Sequence, residues 1–190
     1  MLKVAIVDDE DARAVTIAAA LQEQGYAIAG RVMSALALLD QMQAWQPDVI
    51  IIGADSPDRD TLEHLCLVTR DWPRPIVMFT GDRSSDAIRM ALKAGVSAYV
   101  VDGIDASRIQ SILEVARIRF EEHRVLLDSV AEANRKRDER ETIDLAKQRL
   151  MSTQRLTESE AYHAMRRTSM EQNRRLVEVA EDVLRAFPEN

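Results

Sequence analysis

Between Ser107 and Met151 the sequence contains neither glycine nor proline, and so long a stretch without punctuation reads as continuous helix. Ile109, Leu113, Ala116, Phe120, His123, Leu127, Val130 and Asn134 recur at alternating steps of four and three, which places them on one side of that helix. The early part of the stripe can pack on a domain, whereas the later part projects too far to do only that. After Asn134 the stripe turns into charge, in the run ANRKRDERE, so a two-stranded seam weakens there. The helix can lie against its own domain or form a stalk that pairs with a second copy. Either way it connects two units.

The residues before it alternate between apolar runs and helical periodicity. Lys3–Val7, Tyr26–Val32, Val49–Ile52, Ile76–Phe79 and Ala98–Val101 read as strands. Asp11–Gln24, Ala35–Ala44, Asp60–Trp72 and Ser85–Ala94 read as the helices between them, with Gly25 stopping the first and Ser34 capping the second. Val49–Ile52 lacks alternation, as a parallel strand covered on both faces should. The expected fold class is α/β: a doubly wound sheet of five parallel strands, then the long helix, then a C-terminal bundle of three helices. The expected boundaries are 1–120, 121–142 and 143–190.

In a doubly wound sheet, ligands collect outside the carboxyl ends of the strands. The sequence places Asp8, Asp9 and Glu10 there after the first strand, Gly53 and Asp55 after the third, Thr80 after the fourth and Asp102 after the fifth. Carboxylates that converge at a sheet edge raise one another's cost of ionisation. Mg²⁺ held by Asp8 and Asp9 would relieve that cost, although no cofactor is required.

Other chemistries find little support. His64, His123 and His163 are too scattered for a metal motif, no glycine-rich loop is spaced to cradle phosphate, and no hydrolytic triad can be nominated. Cys66, the single cysteine, lies in the apolar run HLCLV and is expected to be a buried helix residue. No apolar run approaches the roughly 20 residues that cross a bilayer, and VAIVDDE near the start reads as a strand and not as a secretory peptide. A cytoplasmic protein with no membrane partner is the expectation.

The net charge of −7 is unevenly spread. Residues 143–175 hold 7 Lys and Arg against 4 Asp and Glu, enough local basicity to bind a polyanion despite the acidic total. Thr157–Glu160 is a capping box that starts one helix, and Asn173–Phe187 is expected to be the next, with Leu176, Val179, Ala180, Val183 and Leu184 facing inward. Arginines can grip phosphates and stack on unpaired bases, which suits RNA loops. From charge alone, a solvated helical surface and a DNA-binding helix-turn-helix remain open.

Two sets of motifs carry a resemblance. IVDDE, DVIIIGADSP, VMFTGD and AGVSAYVVDG resemble a response-regulator receiver domain. The resemblance maps the paired acids onto Asp8 and Asp9 and the switch hydroxyl onto Thr80. Counting back from Pro57, the phosphoryl acceptor falls on Gly53, which cannot accept phosphate, and the usual lysine and proline after the fifth strand are Asp102 and Gly103. Asp55 would be a substitute acceptor displaced by two residues. A receiver without nucleophile or phosphate-facing ammonium is expected to act as an interaction module.

The stretch AKQRLMSTQRLTESEAYHAMRRTSMEQNRRLVEVAEDVL resembles an ANTAR output domain, and the whole chain is similar to the NasT-like branch of ANTAR response regulators. The resemblance implies a transcription antiterminator that recognises paired hairpin loops in a leader RNA. It further implies control of nitrate or nitrite assimilation genes through a NasS-like sensor partner. RNA contacts are expected first from Lys147, Arg166, Arg167, Arg174 and Arg175, and secondarily from Arg149 and Asn173. Ala146, Leu150, Met151, Ala161 and Tyr162 are expected to hold the bundle together. The competing expectations are a DNA-binding response regulator and a non-catalytic protein-interaction adaptor.

Overall fold

The structure is a computed structural model that describes residues 1–55, 59–101 and 106–188. Its N-terminal compact unit, Met1–Arg124, carries five parallel strands: β1 Lys3–Asp8, β2 Ala27–Val32, β3 Val49–Gly53, β4 Ile76–Thr80 and β5 Ala98–Val101. Between them run α1 Asp11–Glu23, α2 Ala35–Trp45, α3 Arg59–Asp71 and α4 Ser85–Lys93. The sheet order is β2-β1-β3-β4-β5. The chain therefore reverses its direction of winding between β1 and β3, and the crevice at their carboxyl ends is the place where such sheets bind ligands.

The apolar runs become strands because both faces of the sheet are covered. Val4, Ile6, Ile51 and Val77 pack with Ile17 and Leu21 of α1, while Ala5, Ile50, Ile52 and Met78 pack with Leu38 and Leu65 on the other face. Ser34 caps α2 and Ser84 caps α4, each hydroxyl accepting from the backbone N–H three residues on. Gly25, at φ +82°, takes the left-handed turn that ends α1.

Cys66 departs from expectation. The buried stripe of α3 is Leu62, Leu65 and Val68, and Cys66 falls beside it on the exposed surface.

Helix α5 runs without interruption from Ala106 to Gln154. Ile109, Leu113 and Ala116 are buried in the N-terminal unit's core, and Val125, Leu127 and Val130 are exposed. The C-terminal unit, Val125–Asn190, packs the end of α5 with α6 Glu158–Gln172 and α7 Leu176–Ala186. Its core consists of Ala146, Leu150, Ala161, Met165, Val179 and Ala180. Alanines at three of these six positions let the helices approach closely.

Two sequence expectations change here. Asn173, Arg174 and Arg175 do not open α7: Asn173 adopts a left-handed conformation, φ 50°, and closes α6, while Arg175 is the N-cap of α7. The turn is locked by the Ser169 hydroxyl, which donates to the Arg174 carbonyl at 2.6 Å. Met151 is 37% exposed and lies outside the bundle core.

Candidate functional site

Two places gather chemistry-bearing side chains. The first is the crevice between β1 and β3. Asp8 ends β1 and pairs in register with Gly53, which ends β3. The Asp8 side chain is fully buried, and its oxygens accept from the Glu10 backbone N–H at 2.9 Å and from the guanidinium of Arg13. Arg13 Nε lies 2.9 and 3.1 Å from the two Asp8 oxygens, and Nη2 lies 2.9 Å from Asp8 Oδ1 and 2.9 Å from Asp9 Oδ1. Nη1 reaches Glu10 at 3.2 Å and Asp55 at 2.6 Å.

One arginine in the first turn of α1 thus bridges four carboxylates from two strand ends. Only Asp8 is buried. The side chains of Asp9, Glu10 and Asp55 are 75%, 59% and 89% exposed, so water screens their mutual repulsion. The hydrogen bond with Asp8, working against burial, holds the Arg13 guanidinium above its ordinary proton affinity.

Thr80, at the end of β4, is buried; its hydroxyl donates to the Asp55 carbonyl at 3.0 Å and accepts from the Asp82 N–H at 3.1 Å. Beside Arg13 opens a cleft of about 440 Å³ lined by Glu10, Thr16, Asp55, Phe79, Thr80 and Gly81. The crevice brings together Asp8, Asp9, Gly53, Asp55 and Thr80 as the sequence suggested. Asp102, with Gly103 and Pro57, lies outside the described residues.

The acidic pocket is therefore present, and its fit to Mg²⁺ can be tested on its geometry. A divalent ion of this kind needs oxygen ligands at about 2.1 Å. Both oxygens of the buried carboxylate already accept from the guanidinium, and among the described residues no three acidic, histidine or cysteine side chains form a group that could hold a metal ion. With Arg13 in place the pocket does not fit the ion. Sequence reasoning overlooked Arg13; the signal was an arginine three residues after the acidic triplet, one helical turn beyond the strand end.

The second place is the C-terminal bundle, where the nominated RNA contacts separate into two groups. Lys147 is held by Asp144 at 2.6 Å and by Glu158 at 2.7 Å. Arg174 is held by Asp182 at 2.6 Å and Glu178 at 3.4 Å, and Arg175 pairs with Glu139 of α5. These hydrogen-bonded carboxylates raise the proton affinities of Lys147, Arg174 and Arg175. Arg149 donates to the Phe187 carbonyl at 2.7 Å and helps close the bundle. Asn173 is the turn residue that ends α6.

Arg166 and Arg167 differ from all of these. Both are exposed on α6, and the contact shown for Arg166 is a long one, 3.4 Å, to the Tyr162 hydroxyl. They share a shallow depression with His163, Met170 and Glu171. Met170 is 73% exposed there, and the Tyr162 and His163 rings meet edge to face at 6.0 Å. The helical spacing 163, 166, 167, 170 sets a ring, two guanidinium planes and a thioether on one face.

Comparison with known proteins follows the same division. Residues 4–114 match the response regulator receiver domain and residues 131–184 match the ANTAR domain. The chain belongs to the response-regulator family. A receiver fused to a C-terminal ANTAR domain is the architecture of NasT-like ANTAR regulators. The transcriptional regulatory protein PdtaR of Mycobacterium tuberculosis is 28% identical over 182 residues, covering 96% of this chain and 89% of its own. The probable transcriptional regulatory protein SgaR of Hyphomicrobium methylovorum is 27% identical over 122 residues, covering 63% of this chain and 58% of its own.

Solved receiver domains share the N-terminal fold. That of a modulated diguanylate cyclase from Desulfovibrio desulfuricans superposes with a TM-score of 0.57 at 18% identity, covering 65% of this chain and 98% of its own. A CheY-like receiver from Methanospirillum hungatei gives 0.56 at 20% identity over 65% and 98%. Receiver and ANTAR domains are non-catalytic signalling and RNA-binding modules. The architecture of this response regulator supports RNA-binding antitermination in general. Among the described residues no helix is long and apolar enough to cross a membrane.

Proposed function

We propose that this response regulator binds a leader transcript carrying paired hairpin loops and stabilises the fold that prevents termination. The observation that carries the reading is the outer face of α6. Arg166 and Arg167 are exposed there beside His163 and Met170, while Lys147, Arg174 and Arg175 are engaged by carboxylates of the bundle itself. Guanidiniums not held by a carboxylate can take phosphate and stack on splayed bases without first breaking an ion pair. The α6 pair therefore makes first contact. The engaged cations keep the helices in register and become RNA ligands only where a phosphate displaces their carboxylate.

On this reading the receiver is a docking module. Gly53 offers no acceptor, and Asp55 is turned toward Arg13. The genes controlled are those of nitrate or nitrite assimilation, a NasS-like sensor protein captures the receiver when inducer is absent, and exposed Val125, Leu127 and Val130 pair with a second copy. Mg²⁺ has no part in this signalling.

Binding to a two-hairpin leader, to the same RNA with scrambled loops and to duplex DNA at equal salt tests the proposal. Preference for the intact leader is expected. Equal, weak binding to both RNAs removes loop recognition, preference for duplex DNA makes the chain a DNA-binding response regulator, and a stable protein complex with no RNA shift makes it an adaptor.

A further inference from the structure

The crevice of the receiver poses a chemical question that the RNA reading does not answer. Four carboxylates converge on it, and the one that is wholly buried, Asp8, needs a cation. The cation is in the chain. A guanidinium has five N–H donors, and Arg13 spends all three of its nitrogens here: Nε and Nη2 on Asp8, Nη2 also on Asp9, and Nη1 on Glu10 and Asp55. Its contacts come from the ends of both strands that border the switch point of the sheet, and its side chain is only 21% exposed.

Gly53 is part of the same arrangement. A Cβ at position 53 would lie 1.9 Å from Asp8 Oδ2 and 3.0 Å from Arg13 Nε. The first distance is far inside van der Waals contact, so a side chain at 53 must displace the Asp8 carboxylate, while Asp9, Glu10 and Asp55 still hold the guanidinium. Glycine at 53 thus leaves the Asp8 carboxylate where the Arg13 guanidinium takes it.

We propose that the Arg13 guanidinium is this receiver's resident cation, tethered in the place among Asp8, Asp9 and Asp55 that a divalent metal would take, with Gly53 making room for it. The pocket is then permanently compensated: it ignores Mg²⁺, and an aspartate placed at 53 does not by itself restore a metal or phosphoryl site. The proposal rests on receiver geometry alone, so its failure would leave the RNA reading standing, and failure of RNA binding would leave this one.

The test is a thermal melt of the full chain with MgCl₂ against NaCl of matched ionic strength, together with calorimetric titration of Mg²⁺. In the wild type, Mg²⁺ shifts Tm no more than the matched salt does and gives no binding isotherm. Arg13→Gln, which leaves the carboxylates without their cation, melts lower in NaCl and is restored by Mg²⁺. An ion at about tenfold above its Kd raises the variant's folded-to-unfolded ratio roughly tenfold. Gly53→Asp alone gains no Mg²⁺ affinity, whereas Gly53→Asp combined with Arg13→Gln does.

Saturable Mg²⁺ binding by the wild type overturns the proposal whatever the variants do. So does binding by Gly53→Asp alone, or an Arg13→Gln protein that Mg²⁺ fails to restore. If Arg13→Gln does not fold in NaCl, refolding it in Mg²⁺ reads the same rescue: recovery of the native helical signal supports the tethered cation, and no recovery counts against it.

Discussion

Lys147 Nζ lies 2.7 Å from Glu158 Oε1 and so ties the end of α5 to the first turn of α6. A carboxylate at a helix N-terminus is favoured by the helix dipole, and the ammonium beside it fixes the angle between the helices. Lys147→Ala is therefore expected to lower the melting temperature of the bundle while leaving affinity for the leader RNA, measured well below that temperature, near the parent's. Unchanged melting with lost binding would instead make Lys147 an RNA ligand.

Arg166 and Arg167 give the opposite signature. They support nothing in the bundle core, so Arg166→Ala combined with Arg167→Ala should keep its helical content and melting temperature. Each phosphate contact to single-stranded RNA contributes about 0.7 to the slope of log affinity against log salt, so losing two flattens that slope by roughly 1.4. Titrations at several salt concentrations read it directly. An unchanged slope would remove these arginines from the interface.

The start of α6 sets an acid limit. Thr157 accepts from the Glu160 N–H, and the Glu160 carboxylate takes the Thr157 N–H at 2.8 Å and the Thr157 hydroxyl at 2.7 Å. These donors hold Glu160 below its ordinary 4.5, and the Arg174 guanidinium holds Asp182 below its ordinary 3.8. A carboxyl with a depressed folded pKa stabilises fully above its unfolded value and loses that contribution as pH falls through the folded one. Bundle stability should thus be level above about pH 4.5 and decline below it. Thr157→Ala should cost about 1 kcal/mol and flatten the Glu160 part of the decline. A Thr157→Ala acid profile parallel to the parent's would show that the Thr157 hydroxyl has no share in holding the Glu160 carboxylate down, its backbone N–H doing so alone.

Which of these features the sequence discloses depends on the range of the interaction. The runs VAIVD, VIII and IVMF are legible as parallel strands because burial on both faces leaves no polar position to interrupt them. The strand ends are less so: β1 continues to Asp8 and β4 to Thr80, because the sheet ladder accepts polar residues whose side chains find partners in the crevice. Arg13 is illegible as a site residue, since periodicity places it on an outer helix turn and only the fold brings Asp55, 42 residues away, to its guanidinium. In the bundle, Arg174 with Glu178 has ordinary helical spacing and could be read as a pair, whereas Arg175 meets Glu139 across 36 residues. A count of basic residues cannot separate these cations from Arg166 and Arg167; the fold does so by deciding which carboxylates come within reach.

The bundle core is small enough for one side chain to decide whether it folds. Of its six buried residues three are alanines, leaving Leu150, Met165 and Val179 as the larger fully buried side chains, with Ile143, Leu156, Leu176, Val183, Leu184 and Phe187 packed partly buried around them. Met165 is 1% exposed at the centre of α6, and truncating such a side chain to alanine costs about 2–5 kcal/mol through lost burial and the cavity left behind. A unit of this size rarely holds more than about 3–5 kcal/mol in its core. Met165→Ala should therefore melt the C-terminal unit and abolish leader binding, while the five-stranded sheet, whose two core clusters contain no bundle residue, keeps its own cooperative transition. Circular dichroism and near-ultraviolet melting of the full chain read both. Retained RNA binding by this variant would mean that α6 recognises its target without the bundle behind it.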